Sequence, residues 1–289
     1  MEKDINIDTL LALLDDRDQE VYIAVRDKLL ESGPSLLPVL EYALSSSVSL
    51  LQHDRLELII LDLKLSLLVD KTALWANSED KTLLAGWILA SSIHHPAIVA
   101  EKIDLIIQKI TRDIWLELNE AYTSLEKVSV INHLFFDVYH FELNTSDLNA
   151  PENCVINNLL VSRKGNLVSL TTLYCIIAQR LELPIHPIRI GQYLILGYYG
   201  PEISKEVYGE DANPYLFYIN MEHKGAIIGS KELDYIVHEH KEKTVLATTL
   251  NEGTLIKWLL HVLKQCYQFT RNGEKVAITN RLLDKLRKY

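Results

Sequence analysis

The stretch from residue 163 to residue 200 constrains the fold of this chain more than any other. Gly165 and Asn166 are typical of a tight turn, and apolar residues then recur at helical spacing until Leu183–Pro184 ends the run. These apolar residues are Leu170, Leu173, Ile176, Ile177 and Leu181. A second apolar run, over residues 188–196, is typical of a buried strand. The segment therefore predicts a turn, a buried helix and a buried strand, with Ser169 near the helix start.

The first hundred or so residues have a purely helical pattern. Asp8 and Asp18 are suitable caps for two successive helices, and Gly33–Pro34 stops the second helix. This short helix, Asp-rich turn, second helix and Gly-Pro stop resemble a HEAT-type helical pair. Solenoids need several copies of such a unit, and one copy is clear here, so an ordinary helical bundle stays open as the alternative. Residues 51–75 and 80–112 continue as long apolar helices, and Trp75, Trp87 and Trp115 are expected to fill the core.

The hydrophobic period changes from 3.6 to 2 in one part of the chain. Strand-like segments occur at residues 185–196, 216–220 and 225–228, which predicts a small antiparallel sheet. From Leu250 onward the pattern is helical again. Two apolar helical faces flank a turn at residues 271–273, which predicts a helical hairpin similar to a tetratricopeptide-type pair. Because one hairpin cannot bury both faces alone, we expect it to pack on the core.

Four segments together resemble the SirB-type transglutaminase-like family. The central one has the order Arg163, Gly165–Asn166, Ser169–Leu170, then Ala178-Gln179-Arg180-Leu181 in the helix, then an apolar strand. The upstream segments read NHLFFDVYHFELN and NCVINNLLVSRKGN, and the downstream segment reads FYINMEHKGAIIGSKELD. The resemblance covers roughly residues 116–245 and implies an α+β core like that of transglutaminases and cysteine proteases.

The resemblance also implies where a catalytic triad would lie. Catalytic members of the fold place a cysteine at a helix start, a histidine on the next strand and an Asp or Asn on a third. The matching positions here are Ser169, Gln192 and Asn220. Gln192 cannot serve as a base, and a serine hydroxyl needs one to become nucleophilic near neutral pH. The chain departs from the family pattern at Leu167, where proline is common, and at Met221–Glu222, where a Pro-Phe turn is common.

Other residues offer alternatives to this degenerate triad. Cys154 precedes a helix predicted to begin near Val155, and the helix start would lower the pKa of its thiol. Cys175 is more typical of a buried structural thiol. His223 is three residues from Asn220, in a turn-like context that is typical of the surface. His94–His95 and the pair His238 and His240 lack the spacing of metal ligands and are typical of solvated helix ends.

Composition excludes several classes of function. The formal charge of −10 and the lack of a basic cluster disfavour nucleic acid as a partner. The most apolar run, residues 56–69, contains charged residues that include Asp62 and Lys64, and it is too short to cross a bilayer. The first 16 residues carry acids where a signal peptide has a basic start, and three widely spaced cysteines fit a reducing, cytoplasmic setting.

The sequence thus predicts a mostly helical α+β protein. Its expected parts are a helical bundle or HEAT-like region (1–115), a transglutaminase-like core with a small antiparallel sheet (116–245) and a helical hairpin (246–289). We expect a non-catalytic binding or scaffolding module with a protein or peptide partner, no cofactor, no metal and no membrane association. The alternative is a weak or unconventional hydrolase or acyltransferase that acts on peptide or amide bonds through Ser169 or Cys154. The oligomeric state stays open.

Overall fold

A computed structural model of the chain describes residues 6–209, 213–239 and 248–289. The chain forms two compact units, Met1–Leu74 and Trp75–Tyr289. The predicted division into residues 1–115, 116–245 and 246–289 stays a prediction. None of the helices in the described part of the chain combines the length and the apolar character that crossing a bilayer requires.

Helices account for all the regular structure of the first unit in the described residues. They are α1 (Ile7–Leu13), α2 (Gln19–Glu31), a 3₁₀ turn (Pro34–Leu36), α3 (Leu37–Ser46) and α4 (Leu50–Asn77). Asp18 caps α2 as predicted, since its carboxylate accepts the Glu20 N–H at 2.8 Å. The predicted cap at Asp8 is wrong, because Asn6 accepts the Asp8 N–H and caps α1. The core of this unit centres on Leu14, Leu29, Leu40, Leu56 and Ile59, each fully buried.

The second unit contains most of the helices. They are α5 (Leu83–Ser91), α6 (Ala100–Glu117), α7 (Ser124–Asn132), α8 (Ile156–Ser162), α9 (Leu167–Arg180), α10 (Pro201–Tyr208), α11 (Ser230–Glu239), α12 (Glu252–Phe269) and α13 (Gly273–Lys285). A π-helical turn (His133–Val138) and two 3₁₀ turns (Pro151–Cys154 and Met221–His223) complete the set. The continuous helix predicted over residues 80–112 is wrong. It is broken between α5 and α6, where Pro96 cannot donate a backbone hydrogen bond.

Trp115 contradicts the prediction that it fills the core. Helix α6 buries a stripe at helical spacing that includes Ile103, Ile107, Ile110 and Ile114. Trp115 lies one position beyond this stripe, and 64% of it is exposed. Trp75 and Trp87 are buried, as predicted.

Within the described residues, seven short strands belong to two sheets. They are β1 (Glu142–Leu143), β2 (Lys164–Gly165), β3 (Ile185–Ile190), β4 (Tyr193–Tyr199), β5 (Tyr215–Asn220), β6 (Ala226–Ile228) and β7 (Thr248–Thr249). Strands β1 and β2 form a parallel pair, and the other five form an antiparallel sheet in the order β6-β5-β4-β3-β7. The structure therefore confirms the predicted α+β class with a small antiparallel sheet.

The apolar run at residues 185–196 is two strands and not one. Ile190 pairs with Tyr193, so Gly191 and Gln192 form a two-residue turn between β3 and β4. Gly191 has φ +58°, a left-handed conformation that glycine adopts without steric cost. Both strands are largely buried, which removes the alternation that would have marked their limits.

Helix α9 lies at the centre of the second unit. Every residue from Val168 to Ala178 is buried, which confirms the predicted buried helix. Helix α9 contacts β3 and β4 of the sheet on the one hand and α6 and α12 on the other. Helices α12 and α13 pair as the predicted hairpin, and α12 packs on α5 and α9 of the core. The turn at residues 271–273 is also as predicted, with Asn272 as the N-cap of α13.

Candidate functional site

Ser169 lies in the first turn of α9 and is engaged in a reciprocal cap with Asn166. The Asn166 side-chain oxygen accepts the Ser169 N–H at 2.9 Å, and the Ser169 hydroxyl accepts the Asn166 N–H at 3.0 Å. The hydroxyl in turn donates to the Asn166 carbonyl at 2.9 Å. This is the geometry of a capping box, which satisfies backbone groups that a helix start leaves unpaired. The N-cap itself is Asn166, three residues before the serine.

The Ser169 side chain is closed off from solvent. The residue is 0% exposed. A Cβ atom added to Gly165 would lie 2.5 Å from the Ser169 Oγ and 2.8 Å from Leu159 Cδ1, so the backbone of β2 covers the hydroxyl at van der Waals distance. Gly165 is therefore required by close approach, because any larger residue would displace one of these atoms. A substrate carbonyl has no space beside this oxygen in the described arrangement.

Gln192 and Asn220 both lie at strand ends. Gln192 is exposed in the β3–β4 turn. Asn220 ends β5, and its side-chain oxygen accepts the Glu222 N–H at 3.0 Å. The convergence of Ser169, Gln192 and Asn220 on one cleft stays a prediction.

Cys154 also lies beside the start of α9. The Asn166 Nδ2 donates to the Cys154 Sγ at 2.9 Å, so the N-cap of α9 serves both the serine and the thiol. Cys154 is 1% exposed. A hydrogen bond from the Cys154 thiol to Cys266 raises the pKa of Cys154 well above its ordinary value and lowers that of Cys266. At neutral pH the Cys154 thiol therefore stays protonated, which is unfavourable for a nucleophile.

The comparison with known families agrees with this geometry. A family model described as the transglutaminase-like superfamily matches residues 100–259, which is more than half of the chain. The chain belongs to the transglutaminase-like superfamily. The matched range contains the segments at 132–144, 153–166 and 217–234 on which the resemblance rests. It also contains α9 and the β3–β6 sheet, so the transglutaminase-like domain includes Ser169, Gln192 and Asn220.

Curated relatives are distant. A UPF0162 protein of Xylella fastidiosa (strain Temecula1 / ATCC 700964) is 24% identical over 128 residues, which are 42% of this chain and 46% of the relative. F-box only protein 21 of Pongo abelii is 26% identical over 113 residues, which are 39% of this chain and 18% of the relative. The chain thus spans less than half the length of each of these relatives. No solved structure gives a significant match.

The second unit contains a hydrogen-bonded network that sequence reasoning missed. The His94 Nδ1 is 3.1 Å from the Tyr267 hydroxyl, and the His94 Nε2 is 3.4 Å from a Glu152 carboxylate oxygen. His95 bonds the Asn158 side chain at 2.8 Å. The expectation of a solvated helix end is therefore wrong for His94–His95. Burial lowers the pKa of His94. The partners lie at sequence distances that no local pattern reveals.

The remaining candidates are Cys175, His223 and the pair His238 and His240. Cys175 is buried, as predicted, and burial raises the pKa of its thiol. His223 is exposed in the 3₁₀ turn after β5. His240 lies outside the described residues, as does the side chain of His238. Within the described ranges, no group of three or more His, Cys, Asp or Glu side chains is arranged to hold a metal ion.

Proposed function

We propose that this transglutaminase-like protein is non-catalytic and acts as a binding or scaffolding module with protein or peptide partners. The observation that carries the proposal is the state of the Ser169 hydroxyl. It is fully buried, and both its donor and an acceptor site bond Asn166. A nucleophile must reach a substrate and must give its proton to a base, and this hydroxyl gives its proton to a backbone carbonyl.

The chemistry of the two other triad positions supports the same proposal. The Gln192 side chain has no ionisation near neutral pH, so it cannot accept and return a proton. Asn220 caps the turn that follows β5, and no histidine occupies the position that it would orient. Loss of the base alone costs several orders of magnitude in rate.

Finer assignments belong to the same proposal. The order of the segments at 132–144, 153–166 and 217–234 supports membership of the SirB-type subfamily. The helices α1 and α2, followed by Gly33–Pro34, support a HEAT-like unit, and the α12–α13 hairpin supports a tetratricopeptide-like unit. The cysteines are all unpaired, which supports a reducing, cytoplasmic location.

One contact favours the alternative of a hydrolase or acyltransferase. The Asn166 side chain donates to Cys154 beside the start of α9, where the positive end of the helix dipole stabilises a thiolate. If a rearrangement separated Cys154 from Cys266, the Cys154 thiol would lose the hydrogen bond that holds its proton. In such an enzyme Cys154 would be the first candidate for the nucleophile and Ser169 the second.

An activity screen tests the proposal. The wild-type chain and its Ser169→Ala and Cys154→Ala variants are assayed for amide hydrolysis, for amine transfer to glutamine peptides and for labelling by a fluorophosphonate probe. We expect no turnover above the buffer blank and no label on Ser169, because the hydroxyl is buried and no base adjoins it. Turnover that either substitution abolishes would establish the alternative.

A designed pair of variants tests whether only the base is missing. Ser169→Cys and the double variant Ser169→Cys/Gln192→His are treated with iodoacetamide, and mass spectrometry follows the peptide that contains residue 169. We expect equal, slow labelling, because residue 169 is buried in both. Much faster labelling of the double variant at neutral pH would mean that the cleft retains catalytic geometry and lacks only the chemistry.

A further inference from the structure

Two adjacent cavities follow one side of α6. The first has a volume of about 660 Å³, lies between α5 and α6 and is lined mainly by apolar side chains, among them Trp75, Ile88 and Leu105. The second has a volume of about 470 Å³ and is lined by Gln108, Thr111, Arg112, Trp115, Arg180 and Leu181. Asp104 borders both cavities. We call this pair of cavities the α6 groove.

The α6 groove contains large apolar side chains that are exposed and do not pack in the core. Helix α6 already buries its isoleucine stripe, yet Leu105 is 62% exposed and Trp115 is 64% exposed. Apolar and aromatic side chains that line a concave surface are typical of a binding site, and tryptophan is enriched among the residues that dominate binding energy. Leu105 lines the first cavity of the groove, and Trp115 lines the second.

The second cavity contains a buried hydroxyl with no hydrogen-bond partner in the part of the chain that the structure describes. Thr111 is 9% exposed, and its Oγ1 makes no hydrogen bond. Buried polar atoms in folded proteins are almost always paired, and an unpaired one has a desolvation cost that no hydrogen bond offsets. A ligand that enters this cavity and accepts from the Thr111 hydroxyl would remove that cost.

The charges of the α6 groove fit a carboxylate at the second cavity. Asp104 forms an ion pair with Arg180, so these two charges offset each other. Arg112 is nearest to Asp113 at 3.6 Å, and Asp113 accepts the Tyr139 hydroxyl at 2.6 Å. The Arg112 side chain is 66% exposed, and guanidinium carries five donors. It therefore retains the donors that a bidentate carboxylate contact needs.

We propose that the α6 groove binds a segment of a partner protein in which an apolar side chain is followed, about four residues later, by a carboxylate. The apolar side chain fills the first cavity against Leu105, and the carboxylate meets Arg112. Leu105 and Arg112 are seven residues apart, which is about 10 Å along α6 at a rise of about 1.5 Å per residue. Side chains on one face of an extended peptide recur every two residues, or about every 6.6 Å, so the fourth residue is the first on that face to span this distance. The inference rests on the proposed binding role and gives that role a site.

Peptide binding to the full chain tests the proposal. The probe is a pool of fluorescein-labelled nonapeptides with Leu or Phe, three variable residues and Glu, measured by fluorescence polarisation. Leu105→Glu removes the apolar contact and Arg112→Glu reverses the charge. Matched controls on the same helix are Leu116→Glu and Lys109→Glu, which are exposed and line neither cavity. Melting curves establish that each variant folds.

We expect the wild type to bind members of the pool with Kd below about 1 mM, and each groove variant to weaken binding by about tenfold or more. The controls should stay within about twofold of wild type. Arg112→Glu should regain affinity for the peptides in which Lys replaces Glu, because the charge pair is restored in reverse.

Three results would overturn the proposal. The first is no binding by any member of the pool, and the second is equal loss in groove and control variants. The third is self-association of the chain that Leu105→Glu abolishes, since the occupant would then be a second copy. Each of these leaves the non-catalytic role intact, because that role is tested separately by turnover and by labelling of Ser169.

Discussion

The start of α9 and the outer side of α6 differ in how far their polar groups are satisfied. At the start of α9, Ser169 and Asn166 bond each other and Asn166 also bonds Cys154, and the side chains of Ser169 and Cys154 are buried. Along α6, Trp115 is largely exposed and the buried Thr111 hydroxyl has no hydrogen bond within the described ranges. The start of α9 is closed, and the surface along α6 is open.

This difference suggests that the start of α9 contributes to folding and the α6 groove to binding. A buried polar cluster that is fully hydrogen-bonded stabilises the fold and has no donor left for a ligand. A groove with an exposed aromatic ring, an incompletely paired guanidinium and an unpaired hydroxyl has the groups that recognition needs. Four predictions test whether the two regions differ in this way.

The largest effect is expected in the alkylation of Cys154. Since it is 1% exposed and its pKa is raised, iodoacetamide should label it at least about 100-fold more slowly in the native chain than in urea. Mass spectrometry of the peptide that holds residue 154 gives both rates. Labelling at the rate of a free thiol would mean that the start of α9 is open to solvent.

The neighbouring thiol sharpens this measurement. Cys266 is 3% exposed, and the Cys154 donor lowers its pKa. If the region opens locally, Cys266 should react first because a larger fraction of it is thiolate. If the chain must unfold globally, Cys154, Cys175 and Cys266 should react together.

The next largest effect is expected for Gly165→Ala. The new Cβ would meet the Ser169 Oγ at 2.5 Å and Leu159 Cδ1 at 2.8 Å, and such overpacking costs about 1–3 kcal/mol. Chemical denaturation gives the free energy of unfolding. The matched control is Gly273→Ala at the start of α13, where no atom lies within 4 Å of the added Cβ and the change should be near zero. Equal effects in the two variants would argue against close packing at Gly165.

The sequence predicts some of this arrangement and misses the rest for physical reasons. Helix α9 is predictable because one apolar period continues unbroken, and the Asp18 cap is predictable because its partner lies two residues away. The β3–β4 hairpin is missed because both strands are buried, so that Gly191 alone marks the turn. Local signals predict elements well where their contacts are local.

The start of α9 and the outer side of α6 also differ in how much of their structure local sequence signals predict. The sequence predicts Ser169 near a helix start, and the structure confirms this position, although the N-cap is Asn166. Either residue type suits a cap. The exposure of Trp115 depends on which side of α6 faces the core, and a one-residue shift reverses it. The network of Glu152, His94 and Tyr267 joins three distant segments and has no sequence signal.

A smaller effect is expected for Ser169→Ala. The substitution removes one acceptor for the Asn166 N–H, which keeps a second, longer bond to the Asn153 carbonyl at 3.3 Å. The loss should therefore be about 1 kcal/mol, or roughly 2–4 °C in Tm for a chain of this size. Ser129→Ala is the control, since that exposed hydroxyl bonds only within α7 and its loss should cost less than about 0.5 kcal/mol. A Tm equal to that of wild type would remove the structural explanation for Ser169.

The smallest effect on stability is expected for Trp115→Phe. Because the ring is 64% exposed and lies outside the buried stripe of α6, the free energy of unfolding should change by less than about 0.5 kcal/mol. Trp87→Phe is the matched comparison. The Trp87 ring is fully buried and its Nε1 donates to the Cys154 carbonyl at 2.7 Å, so that loss leaves a buried acceptor unpaired and should cost about 1–3 kcal/mol. If Trp115→Phe costs as much as Trp87→Phe, then Trp115 fills a core after all and the α6 groove loses its most exposed aromatic contact. If its cost is near zero while peptide affinity falls, Trp115 serves recognition and not folding, and the contrast with the closed start of α9 holds.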